Sequence, residues 1–274
     1  MSWIREFNLG YGKRLFNGEN LKIYGGVGIK GFIGNSLMSV SVQDGETVAF
    51  AAFSPVFDID YGDVENQNPS SLGSAPALAP VGHGWGLDFG ATVIFKEKLT
   101  LSASVVDIGK MTWDGNVYEL NDFAFTEYSD DGVETLNFVE QIFDLASPES
   151  FFKWNGAESI ITKLPTTLRL GAGLKVNDMV RVGGDMVFPL NDAIVSYDKG
   201  IIAIGGQIKP LPFLILSAGI QQGGGYGTKI PAGIIFQVGE GTWTAGLSSR
   251  DVVTYFTEND PVISASWGFL RFRF

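Results

Sequence analysis

The chain has 274 residues, with 36 Gly, 21 Phe, 6 Trp and no Cys, and only 18% of its residues are charged. It is short of the Lys and Glu that populate soluble helices, and the missing Cys removes disulfides, thiol catalysis and thiolate metal sites together. Of the net charge of −11, residues 114–158 carry −10, eleven acids against Lys153 alone; with no basic stripe to oppose that acidity, nucleic-acid binding is not expected. A membrane helix needs about 18 consecutive apolar residues. The longest apolar candidates, Gly200 to Gly206 and Leu211 to Ile220, fall well short of that, so any passage through a bilayer is by strands.

Met1 to Arg5 shows no apolar core followed by a small-residue cleavage site, so the chain reads as a mature form or an incomplete one. After the turn Asn17-Gly18-Glu19-Asn20, Leu21, Ile23, Val27 and Ile29 oppose Lys22, Tyr24, Gly26, Gly28 and Lys30, the period of a strand with two unlike faces. Asp58, Asp60 and Asp63 are oxygen ligands in type but lack the Gly and Glu spacing of a calcium loop, as do Asp130 and Asp131 further on. They read as solvated loop acids, and no metal is expected. Asn66 to Val81, rich in Pro, Ser and Ala, reads as an irregular loop, and His83, the only histidine, as a loop residue with no catalytic neighbours.

From Gly84 to Phe95 the chain alternates Trp85, Leu87, Phe89, Ala91 and Val93 with Gly86, Asp88, Gly90 and Thr92. Lys96-Glu97-Lys98 turns it back into Leu99, Leu101, Ala103 and Val105 against Thr100, Ser102 and Ser104, a hairpin partner. At Asp107-Ile108-Gly109 the alternation fails. Asp107 would follow Val105 to the apolar face unless a bulge re-aims it, and Gly109 fits such a bulge. In the acidic insertion, Leu136, Val139, Ile142, Phe143 and Leu145 recur at near-helical spacing, which predicts a short loop helix.

Alternation resumes with Leu168, Leu170, Ala172 and Leu174 against Arg169, Gly171, Gly173 and Lys175, then Val180, Val182, Met186 and Phe188 against Arg181, Gly183 and Asp185. Further strands are expected near 201–209, 213–221, 229–238 and 242–249. The second face is rich in Gly and Ser with scattered charges. A soluble sandwich would carry Lys, Glu and Thr there, whereas a barrel lumen packed by its own contents suits this face, and closure satisfies every backbone group.

The expected fold is therefore all-β: a transmembrane antiparallel β-barrel of about 14 strands. It forms one domain over residues 1–274, with long extracellular loops near 61–83 and 120–162 and the one short loop helix. Asp88, Arg169, Lys175, Arg181 and Asp185 fall on the inward face, either as a charged lumen or as internal ion pairs that offset their own desolvation. The tryptophans Trp3, Trp85, Trp113, Trp154, Trp243 and Trp267 line a tunnel or form interfacial girdles, the girdle fitting Trp85, Trp243 and Trp267 best. Nucleophile, base and orienting group nowhere stand together, so no enzyme and no cofactor are expected.

Leu270, Phe272 and Phe274 share one face of a terminal strand against Arg271 and Arg273, which resembles the signal read by the barrel-assembly machinery of the outer membrane. Gly225-Tyr226-Gly227 with Ile230-Pro231-Ala232-Gly233, the run Ala245 to Val252, the run Ile263 to Phe274, and Leu87 to Gly109 with Trp113 resemble DUF5723, a family of Bacteroidota outer-membrane barrels of undefined function. That family is similar in organisation to FadL-type transporters of hydrophobic molecules and to PorV, the FadL-like barrel of the type IX secretion system. The resemblance implies a bacterial outer-membrane location, lipid around the barrel and no enzymatic activity. It also leaves two roles open: a PorV-like partner or scaffold for another outer-membrane or secreted protein, and a FadL-like passage for a hydrophobic small molecule, in which a strand kink such as Asp107–Gly109 opens the wall.

Overall fold

The computed structural model describes residues 2–43, 46–57, 79–123, 154–225, 227–238, 243–253 and 263–268. In chain order the strands are β1 (Ser2–Asn17), β2 (Leu21–Gln43), β3 (Glu46–Phe53), β4 (Gly82–Phe95), β5 (Leu99–Trp113) and β6 (Val117–Phe123). They continue as β7 (Asn155–Gly156), β8 (Ile160–Lys163), β9 (Thr167–Lys175), β10 (Val180–Pro189) and β11 (Ile201–Leu211). The last are β12 (Leu214–Gly223), β13 (Thr228–Lys229), β14 (Ala232–Val238), β15 (Trp243–Ser249) and β16 (Ile263–Gly268). All sixteen belong to one antiparallel sheet, and the only helical turn among the described residues is the 3-10 segment Pro55–Phe57.

Eleven strands follow one another across this sheet in the order β1-β2-β4-β5-β9-β10-β11-β12-β14-β15-β16. Two of them change neighbours along their length. β2 pairs with β4 over residues 21–34 and with β3 over 36–43. β5 pairs with β9 over 99–106 and with β8 over 110–113. One rim carries connections of two to four residues (18–20, 96–98, 176–179, 212–213, 239–242); the opposite rim carries the long ones. The count exceeds the expected fourteen because short pieces such as β7, β8 and β13 pair beside the long strands. β4 begins at Gly82, and β6, β7 and β8 lie within 120–162 or run into it; the rest of the two expected loops lies outside the described residues. The predicted helix over 135–152 lies outside the described residues.

Period-two sequence becomes two unlike faces because neighbouring strands keep register. On one face Tyr11, Val27, Phe89, Val105, Leu168 and Phe188 stand in a single rung across six strands. On the other, Gly12, Gly26, Gly90, Ser104 and Arg169 do the same. Among the described residues no layer packs on the apolar face: Leu9, Ile29, Ile204 and Leu247 are 78%, 61%, 63% and 54% exposed. A soluble monomer rarely leaves more than a few hundred Å² of contiguous apolar surface uncovered.

Among the described residues an apolar core gathers at the long-connection rim, where Phe32, Leu37, Val81, Met111, Trp113, Val117 and Leu164 pack together. Gly34 and Gly82 make room for the Trp113 ring: a Cβ on Gly34 would stand 2.4 Å from the indole and one on Gly82 2.8 Å. The Trp113 Nε1–H donates to Thr162 Oγ1 at 3.0 Å, so the ring ties β5 to β8. Replacing Trp113 with Ala is expected to lower unfolding stability by about 3–5 kcal/mol, read as the denaturant midpoint of the detergent-folded protein. Gly34→Val is expected to destabilise by overpacking the same place.

Candidate functional site

The interruption of alternation in β5 is a β-bulge. Leu87 pairs with Ile108 and Phe89 with Val105, so Val106 and Asp107 together face Asp88 alone. Beyond this point the odd residues Gly109, Met111 and Trp113 turn to the face that Ser102 and Ser104 held before it, which is how Trp113 reaches the core. The strained residue is Asp107, with φ of 62°, and not Gly109. A side chain in the left-handed region costs about 1–2 kcal/mol. The Asp88 carboxylate offsets part of it by accepting the Asp107 backbone N–H at 2.8 Å. Gly109 is required for another reason: a Cβ there would lie 2.0 Å from the Trp85 carbonyl oxygen.

The bulge carries Asp107 to the polar face, where Lys30 meets it. Lys30 Nζ lies 2.5 Å from Asp107 Oδ1, 3.1 Å from Asp88 Oδ2 and 3.7 Å from Glu6 Oε1. Its side chain is 9% exposed, and the two aspartates are 20% and 21% exposed. Four strands contribute: Glu6 from β1, Lys30 from β2, Asp88 from β4 and Asp107 from β5. Glycine makes the approach possible, since Gly28, opposite Asp88, has no side chain to occupy the space of the carboxylate.

The same place is where β5 exchanges β9 for β8. The connecting Leu164-Pro165-Thr166 runs across the gap and closes it with hydrogen bonds. Leu164 N–H donates to Gly109 O at 3.1 Å, Thr166 Oγ1 donates to Asp107 O at 2.8 Å, and Asn191 Nδ2 donates to Leu164 O at 2.8 Å. Leu164 itself is buried at 5% exposure. The irregular stretch of wall is therefore bridged on its backbone and packed on its side chains.

Of the predicted inward charges, Asp88 meets Lys30, together with Asp107 of the predicted kink; Arg169, Lys175, Arg181 and Asp185 do not join them. Lys175 reaches the exposed turn residue Asp178 at 2.6 Å, and Arg169 Nε contacts Thr167 Oγ1 at 3.4 Å. Arg181 and Asp185 line a groove with Gln207, Ser217 and Arg250. At the short-turn rim the Lys22 ammonium hydrogen-bonds Glu97 and the Lys175 ammonium hydrogen-bonds Asp178, which holds both carboxyls below the usual range. His83 Nδ1 lies 3.3 Å from Asp114 Oδ2 on the surface.

Trp3, Trp85 and Trp243 are 46%, 48% and 39% exposed, whereas Trp113 and Trp154 are buried at 1% and 5% and belong to neither a girdle nor an open tunnel. No group of three or more acidic, His or Cys side chains fit to hold a metal occurs among the described residues. Asp58, Asp60, Asp63, Asp130, Asp131, Leu270, Phe272 and Phe274 lie outside them, as does the side chain of Trp267. Sequence reasoning missed Lys30 and Glu6. A lone Lys between Gly28 and Phe32 was a signal of an inward cation, but its partner Asp107 is 77 residues away and faces it only through the bulge.

Residues 1–239 match a family of unknown function, DUF5723, and the chain belongs to that family. The match takes in β1 and ends before the stretches 245–252 and 263–274. No curated protein matches the chain. Among solved structures, the chain is similar to the Pseudomonas putida toluene transporter TodX, with 14% identity over 90% of this chain and 63% of that one, at a TM-score of 0.46. A TodX deletion mutant described as a monoaromatic hydrocarbon channel is likewise 14% identical, over 90% and 64%, at 0.49. A mutant Rh. blastica porin is 12% identical, over 89% and 84%, at 0.28. The chain thus spans somewhat under two thirds of the TodX chains it matches.

Removing Lys30 alone leaves two half-buried carboxylates without their cation. Lys30→Met is expected to cost about 1–3 kcal/mol, less than breaking a fully buried pair, because both carboxylates keep some contact with solvent. Adding Asp88→Asn and Asp107→Asn to that variant is expected to recover most of the loss, since the amide at 88 still accepts the Asp107 N–H. Denaturant unfolding of the single and triple variants checks both.

Proposed function

We propose that this member of DUF5723 forms part of the wall of a bacterial outer-membrane β-barrel, its apolar face against lipid and its Gly- and Ser-rich face turned to the lumen. Within that barrel it acts as a scaffold or partner subunit of a PorV-like kind. The apolar face supports the first half. It runs uncovered across every long strand, while the backbone groups behind it are satisfied within the sheet, the condition hydrocarbon imposes. The short turns on one rim and long connections on the other agree with periplasmic and extracellular sides.

The observation that carries the scaffold role is the filled polar face at β2, β4 and β5. The Lys30 cluster occupies it at mid-strand, and the Trp113 core fills the space toward the long-connection rim. An ion cluster with a packed indole beyond it is a poor route for a hydrophobic solute and a rigid base for loops, which carry recognition when a stiff scaffold positions them. The acidic connection between β6 and β7 is the working surface on this reading. One observation favours the FadL-like reading, the exchange of neighbours beside the Asp107 bulge, because a wall that changes partners there is a natural place for a lateral opening.

Two measurements test the proposal. Ile204→Arg, on the apolar face, is expected to reduce membrane assembly by about 2–4 kcal/mol, while Gln207→Arg on the polar face leaves it nearly unchanged. Outer-membrane vesicles from cells making the chain are expected to equilibrate radiolabelled toluene no faster than vesicles lacking it. A faster rate would replace the scaffold with the FadL-like passage.

A further inference from the structure

The bulge in β5 also changes the outside of the wall. Once Met111 and Trp113 turn to the polar face, Ile108, Lys110 and Thr112 turn to the apolar one, beside Leu87, Trp85 and His83 of β4. Lys110 stands opposite Trp85 on one side and opposite Lys163 of β8 on the other, and both lysines are exposed. Like charges directly opposite on paired strands, with Cβ atoms about 4.5–5.5 Å apart, repel one another. Neither ammonium makes an ion pair among the described residues, whereas Lys22, Lys30, Lys175 and Lys229 each meet a carboxylate. Asp114, next after β5, meets His83 instead, at 3.3 Å.

From the two lysines toward the short-turn rim, the same face carries an apolar groove of about 620 Å³. Its floor is the rung of small residues Gly25, Ala91 and Ala103, and Phe89, Val105 and Leu168 border it on the Lys110 side. Trp85, 48% exposed, stands where a girdle tryptophan marks the headgroup level. Ala91 lies six residues further along β4. At about 3.3 Å per residue and a tilt of about 40°, that is a depth of about 15 Å, half of a hydrocarbon core about 30 Å thick. The groove therefore reaches as deep below the lysines as one leaflet is thick.

From this juxtaposition we infer that the outside of β4, β5 and β8 binds one anionic lipid of the leaflet on the long-connection side. Its headgroup phosphate lies between the Lys110 and Lys163 ammoniums, and a hydrocarbon chain lies in the groove at Ala91 and Ala103. The inference rests on the bilayer reading above. A phosphate answers the like-charge pair because its oxygens accept from both ammoniums at once, lysine binding phosphate as a point charge. A free phosphate would use the lysines and leave the groove empty; a lipid uses both. Bound there, the lipid ties β5 to β8 from the outside, where β5 exchanges β9 for β8 and Leu164 begins the connection across the gap.

Native mass spectrometry of the full chain, folded in a neutral detergent and titrated with dioleoyl phosphatidic acid or dioleoyl phosphatidylcholine, tests this. The expected result is one tightly held phosphatidic acid. Lys110→Met with Lys163→Met is expected to weaken it about 30-fold, on about 5-fold for each lysine beside an anionic headgroup. Arg at both positions is expected to restore it, and Lys98→Met on the short-turn rim to leave it nearly unchanged. Ala103→Phe, which fills the groove and keeps both lysines, is expected to weaken it as well. Undiminished binding by the double Met variant would overturn the inference, as would equal affinity for the two lipids, or no bound lipid on chain that needs detergent to stay in solution. Displacement of the lipid by excess inorganic phosphate would reduce the site to one for a free anion and overturn it too. So would a carbodiimide-formed amide between Lys110 or Lys163 and a carboxylate of this chain, since the pair would then be neutralised from within. A chain that binds neither lipid and stays dispersed without detergent would instead overturn the bilayer reading.

Discussion

Backbone hydrogen bonding between neighbouring strands holds this sheet together, because no described residue is packed as a layer against its apolar face. A soluble sheet is stabilised by covering its apolar side with a second layer. Here the described residues offer no such layer, and the apolar rung from Tyr11 to Phe188 stands uncovered. A surface of this kind is stable where the solvent is itself apolar, and in such a solvent each unpaired N–H or C=O is expensive. Both properties of the wall, its continuous ladder and its greasy exterior, follow from that single constraint.

Under it, the irregularities become informative. A bulge in mid-wall breaks the ladder and must be compensated, and the compensation is visible: Asp88 caps the freed amide of Asp107, Lys30 neutralises both carboxylates, and Thr166 and Leu164 bond the backbone on the far side. The bulge also reverses the facing of β5, which delivers Met111 and Trp113 to the core instead of the exterior. One inserted residue thus links the ion cluster to the packed rim, and the polar face is filled from mid-strand upward. That continuity is what favours a rigid scaffold over a conduit.

Regular alternation is legible without coordinates because period two depends only on neighbours in sequence. Leu168 to Lys175 and Val180 to Phe188 are strands in both readings, and the failure of alternation at Asp107 was visible as a failure. Which residue would be strained was not: a glycine was the natural choice, yet Asp107 takes the positive φ because Asp88 and Lys30 hold it there. β3 was missed because Ala49 to Phe53 is apolar on both faces and has no period. Trp113 and Trp154 resemble the girdle tryptophans in sequence, yet both are buried, Trp113 because the bulge turns it to the core. The Lys30 cluster draws on four strands, so no local pattern could announce it.

The claim on which the account turns is that the two faces of the wall see different media, one hydrocarbon and the other not. Its most direct test is nitroxide accessibility along β11, using single cysteines at residues 202–208 of the protein reconstituted in lipid vesicles. The account predicts high collision with oxygen at Ile202, Ile204, Gly206 and Ile208 and low collision at Ala203, Gly205 and Gln207, with period two. Equal accessibility on both faces, or strong collision of the even positions with a water-soluble nickel complex, would contradict it.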